Sequence, residues 1–335
     1  MSSDPPFRPA WWLPGAHLQT LGGKYLRPLP DLPLDRERME TPDGDFLDLD
    51  FGPDPDPHGP IVLILHGLEG FSRRPYVLYA ANLLAGSGLM PVALNFRGCS
   101  GEPNRRARLY HSGETGDALF VLKRLRARWP HRPLGALGFS LGGNVLLKLM
   151  GEREDGGRNL LRGAAVISVP YDLEAGARRL ERGLMGRFYT RYFLRSLKEK
   201  IRAKEEMLTP LLDLPAVFRA RSLRAFDHAA TAPLHGFQGA SDYYRRCSSA
   251  GFLAGIRVPT LLLHALDDPF LPPQALPRAP LEANPALTPL FLPRGGHVGF
   301  VSGPLPWRAG FWAEAAVLRF FLEHLWAGAR EAPGP

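Results

Sequence analysis

A glycine-rich turn around one serine constrains this chain more than any other feature. Leu134–Leu137 has the pattern of a short buried strand, residues 138–142 read Gly-Phe-Ser-Leu-Gly, and Leu141–Met150 has that of a buried helix. A Gly-x-Ser-x-Gly turn between a strand and a helix strains the serine backbone and needs small neighbours where the chain crowds. It also leaves Ser140 at a helix N-terminus, where free N–H groups stabilise a developing oxyanion. Ser140 is therefore the candidate nucleophile.

Strands and helices alternate along most of the sequence. Short apolar runs predict strands at Asp48–Phe51, Ile61–Leu65, Met90–Phe96, Leu134–Leu137, Ala164–Val169, Thr260–Ala265 and Leu290–Leu292. Longer periodic segments predict helices at Tyr76–Leu84, Gly116–Trp129, Leu141–Met150 and Phe311–Leu325. This alternation predicts an α/β fold, with a mostly parallel central sheet covered by helices on both faces.

One long section interrupts this alternation. We interpret residues 171–253 as a helical lid inserted into a core made of residues 46–170 and 254–328. Residues 1–45 are rich in proline and aromatic side chains without a clear period, which indicates an N-terminal arm packed on the core. Residues 329–335 are expected to form a flexible tail.

Composition excludes several other classes of protein. The chain is 45% hydrophobic and 22% charged, as is typical of soluble globular domains. Its longest aliphatic run, Ile61–Leu65, is far shorter than the ~20 residues that span a bilayer, and the N-terminus lacks the pattern of a signal peptide. Two cysteines, Cys99 and Cys247, exclude a disulfide framework and make a cysteine zinc site implausible. We expect a cytoplasmic protein without a metal or cofactor.

The net charge of +8 is concentrated in one segment. Residues 174–204 contain ten Lys and Arg against three Glu, while zinc-finger, basic-zipper and aromatic RNA-binding signatures are absent, so a nucleic-acid partner is not expected. Leu180–Ile201 has one apolar and one arginine-rich helical face, with breaks expected at Gly183 and Gly186. We interpret this segment as a lid helix covering an apolar pocket. Contact of residues 174–204 with an anionic membrane surface is the alternative.

A serine nucleophile needs a histidine base, and in a strand–turn–helix context the chain order is serine, acid, histidine. Only His297 and His324 follow every plausible acid. His324 lies within the predicted terminal helix and has the pattern of a packing or surface residue. His297 lies in a Gly-Gly-His-Val-Gly loop after the last strand, so it is the candidate base.

Three aspartates are candidates for the acid that orients the histidine. Asp267 and Asp268 follow the strand Thr260–Ala265, and Asp172 follows the strand Ala164–Val169. Asp268 begins an Asp-Pro-Phe-Leu-Pro turn of the kind that presents a carboxylate at a strand end. We therefore choose Asp268, expect Asp267 to accept backbone N–H groups, and keep Asp172 as the alternative.

The oxyanion hole needs two backbone N–H donors. Leu141, directly after the nucleophile, is expected to supply one of them. Leu68, in the His-Gly-Leu-Glu-Gly loop after the strand Ile61–Leu65, is expected to supply the other. In the same loop, His66 is expected to stabilise the backbone, and Glu69 either hydrogen-bonds within the loop or contacts the pocket edge.

Eight short motifs occur in a fixed order along most of the chain. They are HLQT (17–20), HGLEG (66–70), NFRGCSGEPNR (95–105), YHSGET (110–115), GFSLGGN (138–144), APLHGF (232–237), LDDPFLP (266–272) and GGHVGF (295–300). With this set the chain resembles the YheT-like branch of the α/β-hydrolases, the AB-hydrolase 4 group. The resemblance implies an α/β-hydrolase fold and a Ser–Asp–His ester hydrolase, with the family triad carried onto Ser140, Asp268 and His297. Phe71 departs from the small residue expected after HGLEG, which predicts a reshaped pocket beside that loop.

The residues and the resemblance together predict a carboxylic ester hydrolase that acts through an acyl-enzyme on acyl-chain or lipid-like esters. One alternative is an acyltransferase that uses the same acyl-enzyme, and another is a non-catalytic lipid-binding protein with this fold. Arg97, Tyr110 and His111 follow the strand Met90–Phe96 and are expected to brace their loop. The acyl length, the head group and the oligomeric state are not assigned.

Overall fold

The computed structural model describes residues 6–326 and centres on an eight-stranded sheet in the order β1-β2-β4-β3-β5-β6-β7-β8. Its strands are β1 Asp35–Glu40, β2 Phe46–Phe51, β3 Ile61–Leu65, β4 Met90–Asn95, β5 Leu134–Phe139, β6 Gly163–Ile167, β7 Thr260–Ala265 and β8 Leu287–Leu292. β3 to β8 run parallel, whereas β2 is antiparallel to both of its neighbours, β1 and β4. A small antiparallel ribbon joins β9 Val301–Ser302 to β10 Gly310–Phe311. The mostly parallel sheet is therefore confirmed.

Helices cover both faces of this sheet. Those outside the 171–253 section are α1 Ala16–Tyr25, α2 Pro75–Ala85, α3 Thr115–Arg128, α4 Leu141–Gly151, α12 Arg278–Ala283 and α13 Trp312–Phe321. Between β6 and β7 lie α5 Leu173–Leu180, α6 Gly183–Arg202, α7 Glu205–Leu208, α8 Leu214–Arg219, α9 Leu223–Phe226, α10 Ala232–Leu234 and α11 Ala240–Cys247. Among the described residues, none of these helices combines the length and apolar character needed to cross a bilayer.

The strand β3 shows why the sheet is buried on both faces. All five of its residues are buried, and successive side chains point to opposite faces. Ile61, Leu63 and Leu65 pack with residues of α3 and α4, whereas Val62 and Ile64 pack with residues of α2 and α13. Burying each such side chain contributes roughly 1.5–3 kcal/mol. Continuous apolar runs are therefore required in strands that are covered on both faces.

The first 45 residues contain more regular structure than their sequence predicts. α1 and the edge strand β1 both lie in the segment that we expected to be an arm. β1 carries charged residues on the solvent side and pairs with β2 through Arg36–Asp50 and Arg38–Asp48 ion pairs. Because an edge strand held by ion pairs has no apolar run, composition alone does not reveal it.

Two further expectations are corrected, one about a break in α6 and one about the end of α13. The backbone of Gly183 has φ +69° and separates α5 from α6, as predicted, but α6 continues through Gly186. An added Cβ at Gly186 would lie 2.6 Å from the Leu180 carbonyl, so this glycine allows close packing rather than a break. α13 ends at Phe321 and continues as a π-helical turn, Leu322–Trp326. The predicted tail 329–335 lies outside the described residues.

Candidate active site

Ser140 lies at the junction between β5 and α4. Its backbone has φ 50° and ψ −116°, a strained conformation that few non-glycine residues adopt. The turn fits only because the residues two positions from Ser140 are glycines: an added Cβ at Gly142 would lie 2.4 Å from the Leu65 carbonyl oxygen. The glycines of the motif therefore allow the sharp turn that exposes the serine hydroxyl at the carboxyl edge of the sheet.

A continuous hydrogen-bond chain joins Ser140, His297 and Asp268. The His297 Nε2 atom lies 3.0 Å from Ser140 Oγ, and its Nδ1 atom lies 2.8 Å from Asp268 Oδ2. Asp268 is buried, and its second oxygen accepts the Phe270 N–H at 2.8 Å. The Phe270 ring stacks on the imidazole with centroids 4.2 Å apart. The three residues chosen from the sequence thus lie together, and the turn after β7 supplies both the carboxylate that contacts His297 and the ring that stacks on it.

The alternative residues lie elsewhere. Asp267 accepts the Gly296 N–H at 2.9 Å, which confirms the backbone-binding role expected for it, and burial raises the pKa of its carboxyl. Asp172 caps α5 by accepting the Ala175 N–H at 3.0 Å. His324 lies 3.0 Å from the Phe320 carbonyl in the terminal helix. Each of the three therefore makes local contacts of its own.

The loop that carries His297 is held by residues whose role the sequence did not predict. Thr20 Oγ1 accepts the His297 N–H at 2.9 Å, and Ser168 Oγ accepts the Val298 N–H at 3.0 Å. The Gln19 amide binds the Val301 backbone twice, accepting its N–H at 2.8 Å and donating to its carbonyl at 3.1 Å. These bonds fix the backbone on both sides of the histidine.

Arg27, just beyond α1, is a buried cation that also binds the loop carrying His297. Its guanidinium donates to the carbonyls of Gly23, Val298 and Gly299 and forms a buried ion pair with Glu314. Gln19 and Thr20 belong to the HLQT motif. Its presence in the same ordered set as the candidate catalytic motifs was the one sequence signal pointing to this helix. The sequence did not reveal the function of the motif, because the residues around His297 that it contacts are distant from it along the chain.

The predicted oxyanion loop lies against the nucleophile. An added Cβ at Gly67 would lie 3.2 Å from Ser140 Cβ, and the Gly67 N–H donates to Tyr76 Oη at 3.0 Å. Within residues 6–326, the N–H groups of Leu68 and Leu141 have no hydrogen-bond acceptor. An unpaired N–H is what an oxyanion donor requires, and the role of these two groups stays a prediction.

His66 stabilises the loop, as expected. Its Nδ1 lies 2.8 Å from the Gly67 carbonyl, and its Nε2 accepts the Phe96 N–H at 3.2 Å. Burial lowers the pKa of His66 to about 3, so the ring is neutral at physiological pH. A neutral ring with Nδ1–H donates and accepts in the way that these two bonds require.

Glu69 connects the oxyanion loop to α6. Its backbone has φ 55°, and its buried carboxylate accepts hydrogen bonds from Tyr110 Oη at 2.7 Å, Lys200 Nζ at 2.8 Å and the Ser196 hydroxyl. Burial alone would raise the pKa of this carboxyl, but Lys200 and the hydrogen bonds lower it overall. Glu69 is thus an anion whose counter-charge comes from the helical section between β6 and β7.

Two cavities meet at Ser140 and His297. The first has about 840 Å³ of empty space, part of it open to solvent, and is mostly apolar, with Leu173, Ala177 and Leu197 in its walls. The second has about 1270 Å³ and lies between α1 and α6. Phe71 lines neither of them, but its ring packs 4.6 Å from the guanidinium of Arg74, which lines the second cavity. An influence of Phe71 on the pocket would therefore act through Arg74 and stays a prediction.

The loop after β4 is braced as expected. The buried Arg97 guanidinium forms two hydrogen bonds of 2.7 Å with Asp117 and also binds Asp43 and Asp45 at 2.9 Å. His111 Nδ1 accepts the Gly113 N–H at 3.1 Å, and the side chains of Tyr110 and His111 also line the first cavity. In the part of the chain that the structure describes, no group of three or more His, Cys, Asp or Glu side chains is arranged to hold a metal ion.

The sheet order, the strained serine turn and the hydrogen-bonded Asp–His–Ser arrangement define the class of protein. A family profile described as the alpha/beta hydrolase fold matches residues 60–304. The chain therefore belongs to the α/β-hydrolase family. The esterase Pf2001 of Pyrococcus furiosus has the same fold, with a TM-score of 0.57, 14% sequence identity, and coverage of 88% of this chain and 93% of that one.

Sequence relatives define the branch more narrowly. The Escherichia coli (strain K12) protein YheT, which carries an esterase name, is 39% identical over 308 residues, or 91% of this chain and 89% of that protein. Phospholipase ABHD3 of Mus musculus is 30% identical over 307 residues, covering 90% and 74% of the two chains. The chain is accordingly a YheT-like carboxylic ester hydrolase, which makes a non-catalytic binding protein of this fold the wrong alternative.

Proposed function

We propose that this enzyme cleaves carboxylic esters of fatty-acyl chains through an acyl-enzyme, with Ser140 as nucleophile, His297 as general base and Asp268 as the orienting acid. The unbroken hydrogen-bond chain through these residues carries the proposal. In the same proposal, residues 171–253 form the lid of the site. A cytoplasmic location, suggested by the cysteine content, belongs to it as well.

In the acylation step, Ser140 Oγ attacks the ester carbonyl carbon while His297 Nε2 takes the hydroxyl proton. Asp268 accepts the Nδ1–H, fixes the tautomer and stabilises the imidazolium. The carbonyl oxygen becomes an oxyanion, for which the Leu68 and Leu141 N–H groups are the donors. His297 then gives its proton to the leaving alkoxide, so the alcohol departs and the acyl group stays on Ser140.

In the deacylation step, His297 takes a proton from water, and the hydroxide formed attacks the acyl carbonyl. The second oxyanion uses the same two N–H donors, and its collapse returns the proton to Ser140 and releases the acid. An alcohol in place of water would yield a new ester, which is the acyltransferase alternative. Both reactions share every residue, so only product analysis separates them.

The cavities favour acyl esters as substrates. Both cavities have largely apolar walls, but only the second is also lined by the cations Lys24, Arg27 and Arg74, so we assign the acyl chain to the first cavity and the alcohol part to the second. The names of the relatives, an esterase and a phospholipase, agree with an ester of lipid character. Because Ala177 leaves space in the wall of the first cavity, replacing it by leucine is expected to shorten the preferred chain.

The testing experiment is hydrolysis of nitrophenyl esters from acetate to palmitate. We expect an optimum at one chain length, its shift to shorter chains in Ala177→Leu, and a loss of about a millionfold in kcat for Ser140→Ala. Ser87→Ala, in the turn between α2 and β4, is the matched control and retains activity. Activity retained by Ser140→Ala would refute the mechanism, and esters formed from added alcohols would favour the acyltransferase.

A further inference from the structure

Helices α1 and α6 together present large apolar side chains to solvent. Four of them have high exposed fractions: Tyr25 69%, Leu184 83%, Phe188 53% and Tyr192 40%. Lys24 Nζ lies 3.9 Å from the Tyr192 ring centroid and 5.1 Å from that of Tyr25, so the two helices meet here. A group of adjacent exposed apolar residues of this kind marks an interaction surface rather than scattered surface residues.

This surface surrounds the mouth of the second cavity. Tyr25, Phe188 and Tyr192 line that cavity, and so do Ser140 and His297 at its inner end. The same side chains thus face solvent on one side and the cavity on the other. Whatever covers this surface lies over the path to the serine.

A row of arginines runs beside the apolar row. Arg187 and Arg191 each precede one of the exposed aromatic residues of α6, and positions four apart lie on one face of a helix. Both are exposed, and neither forms an ion pair with any group among residues 6–326. Arg195, the next in the row, pairs with Glu199 at 3.1 Å. Unpaired cations beside apolar residues match a surface that is itself anionic and apolar.

We propose that this docking face, made of Lys24, Tyr25, Leu184, Arg187, Phe188, Arg191 and Tyr192, binds the surface of an anionic lipid bilayer. Its cations would pair with lipid phosphates while its apolar side chains enter the interface. A lipid ester would then pass from the bilayer into the second cavity without crossing water. The inference rests on the proposed function for the identity of the ester but not for the docking itself.

Two other occupants fit the surface less well. A second copy of this chain in an isologous dimer would bring the same arginine row against itself, and like charges repel. The bases of a single-stranded nucleic acid could stack on the exposed aromatic rings of the face, but they would offer no apolar environment to the aliphatic Leu184, its most exposed side chain. Of the three occupants, only an anionic bilayer offers phosphates to the cations, an apolar environment to Leu184 and a lipid ester to the mouth of the second cavity.

The test is co-sedimentation of the full-length Ser140→Ala variant with vesicles of phosphatidylcholine alone, or with about 30% phosphatidylglycerol. We expect binding only to the anionic vesicles, weakened by salt. Arg187→Gln/Arg191→Gln should lower the affinity about 25-fold, at about fivefold per arginine. Leu184→Ser should lower it about tenfold. Lys123→Gln/Arg126→Gln on α3 removes equal charge from exposed positions elsewhere and should leave binding unchanged.

The same substitutions in the active enzyme separate docking from catalysis. Hydrolysis of soluble nitrophenyl acetate should be unchanged, because Leu184, Arg187 and Arg191 line neither cavity. Equal binding to neutral and anionic vesicles, an equal loss in the α3 control, or a dimer that Leu184→Ser dissociates would each overturn the docking proposal. Binding to single-stranded DNA without vesicle binding would overturn it as well. Vesicle binding without soluble esterase activity would instead refute the proposed function alone.

Discussion

Thr20 is 277 residues away from His297 in sequence, yet its hydroxyl holds the backbone N–H of the histidine at 2.9 Å. Thr20→Val keeps the shape of the side chain and removes this acceptor. It also removes the donor to the Ala16 carbonyl, within α1. An unsatisfied buried N–H costs about 1–3 kcal/mol, which the loop can avoid only by moving. Such movement would lengthen the 3.0 Å contact between His297 and Ser140.

If the whole cost appears in the transition state, kcat/KM falls by about 5-fold to 150-fold, because each 1.36 kcal/mol is a factor of ten. The loss should lie in kcat rather than KM, because Thr20 does not line the first cavity and valine keeps the shape of its side chain in the second. Thr20→Ser retains the oxygen and should stay within about threefold of wild type. The free energy of unfolding should fall by no more than this cost of about 1–3 kcal/mol, since valine and threonine have similar helix propensities.

The assay is steady-state hydrolysis of nitrophenyl butyrate, together with the rate of fluorophosphonate labelling of Ser140 and urea unfolding of each variant. A labelling rate that falls in parallel with kcat would place the effect at the nucleophile. Wild-type kcat in Thr20→Val, or equal losses in the valine and serine variants, would show that Thr20 does not position the histidine.

Three other predictions concern stability. Lys200→Met leaves the Glu69 carboxylate buried without a cation and should lower the free energy of unfolding, measured in urea, by about 3–5 kcal/mol. The double variant Glu69→Gln/Lys200→Met should regain most of this stability, and a double variant as unstable as Lys200→Met would contradict the pairing. Burial raises the pKa of Asp227 to about 6, so folding takes up protons between pH 4 and 6. The free energy of unfolding of the wild type should therefore fall by about 2–3 kcal/mol relative to that of Asp227→Asn as pH rises from 4 to 7. A difference between the two proteins that does not change with pH would exclude the raised pKa of Asp227. Gly142→Ala should lower the melting temperature by more than about 5 °C, because its Cβ meets the backbone of β3, while Gly251→Ala, with open space around it, should match wild type in calorimetry.

The elements closest to the chemistry were the easiest to predict. β3 and β7 begin and end at the predicted residues, and α4 extends one residue further than expected. Their apolar runs are long because both faces are buried. β1 was missed for the opposite reason, since an edge strand with Asp35, Arg36, Glu37 and Arg38 is held by ion pairs rather than by burial.

Elimination among histidines identified His297 because the order of residues along the chain and the glycine-rich loop around the histidine can both be read from the sequence. The contact between Glu69 and Lys200 had no such signal, because 131 residues separate them and either charge reads as an ordinary surface residue. Only burial on both sides shows that they form a pair. The same limit applies to Gln19 and Thr20 of α1 and to Arg27 just beyond it, because their role appears only when the histidine loop packs against them.

The sequence by itself determined the strained serine turn and the strand–helix alternation, because each depends on neighbours within a few residues, and the order of serine, acid and histidine, which can be read directly along the chain. The sequence favoured Asp268 over Asp267, and the tertiary structure shows its carboxylate beside the imidazole. Only the tertiary structure decided that α1 holds the histidine loop and that Lys200 of α6 pairs with Glu69 in the loop after β3. Adjacent aspartates differ by the direction of a backbone turn. Distant polar residues become partners only when packing removes the water between them.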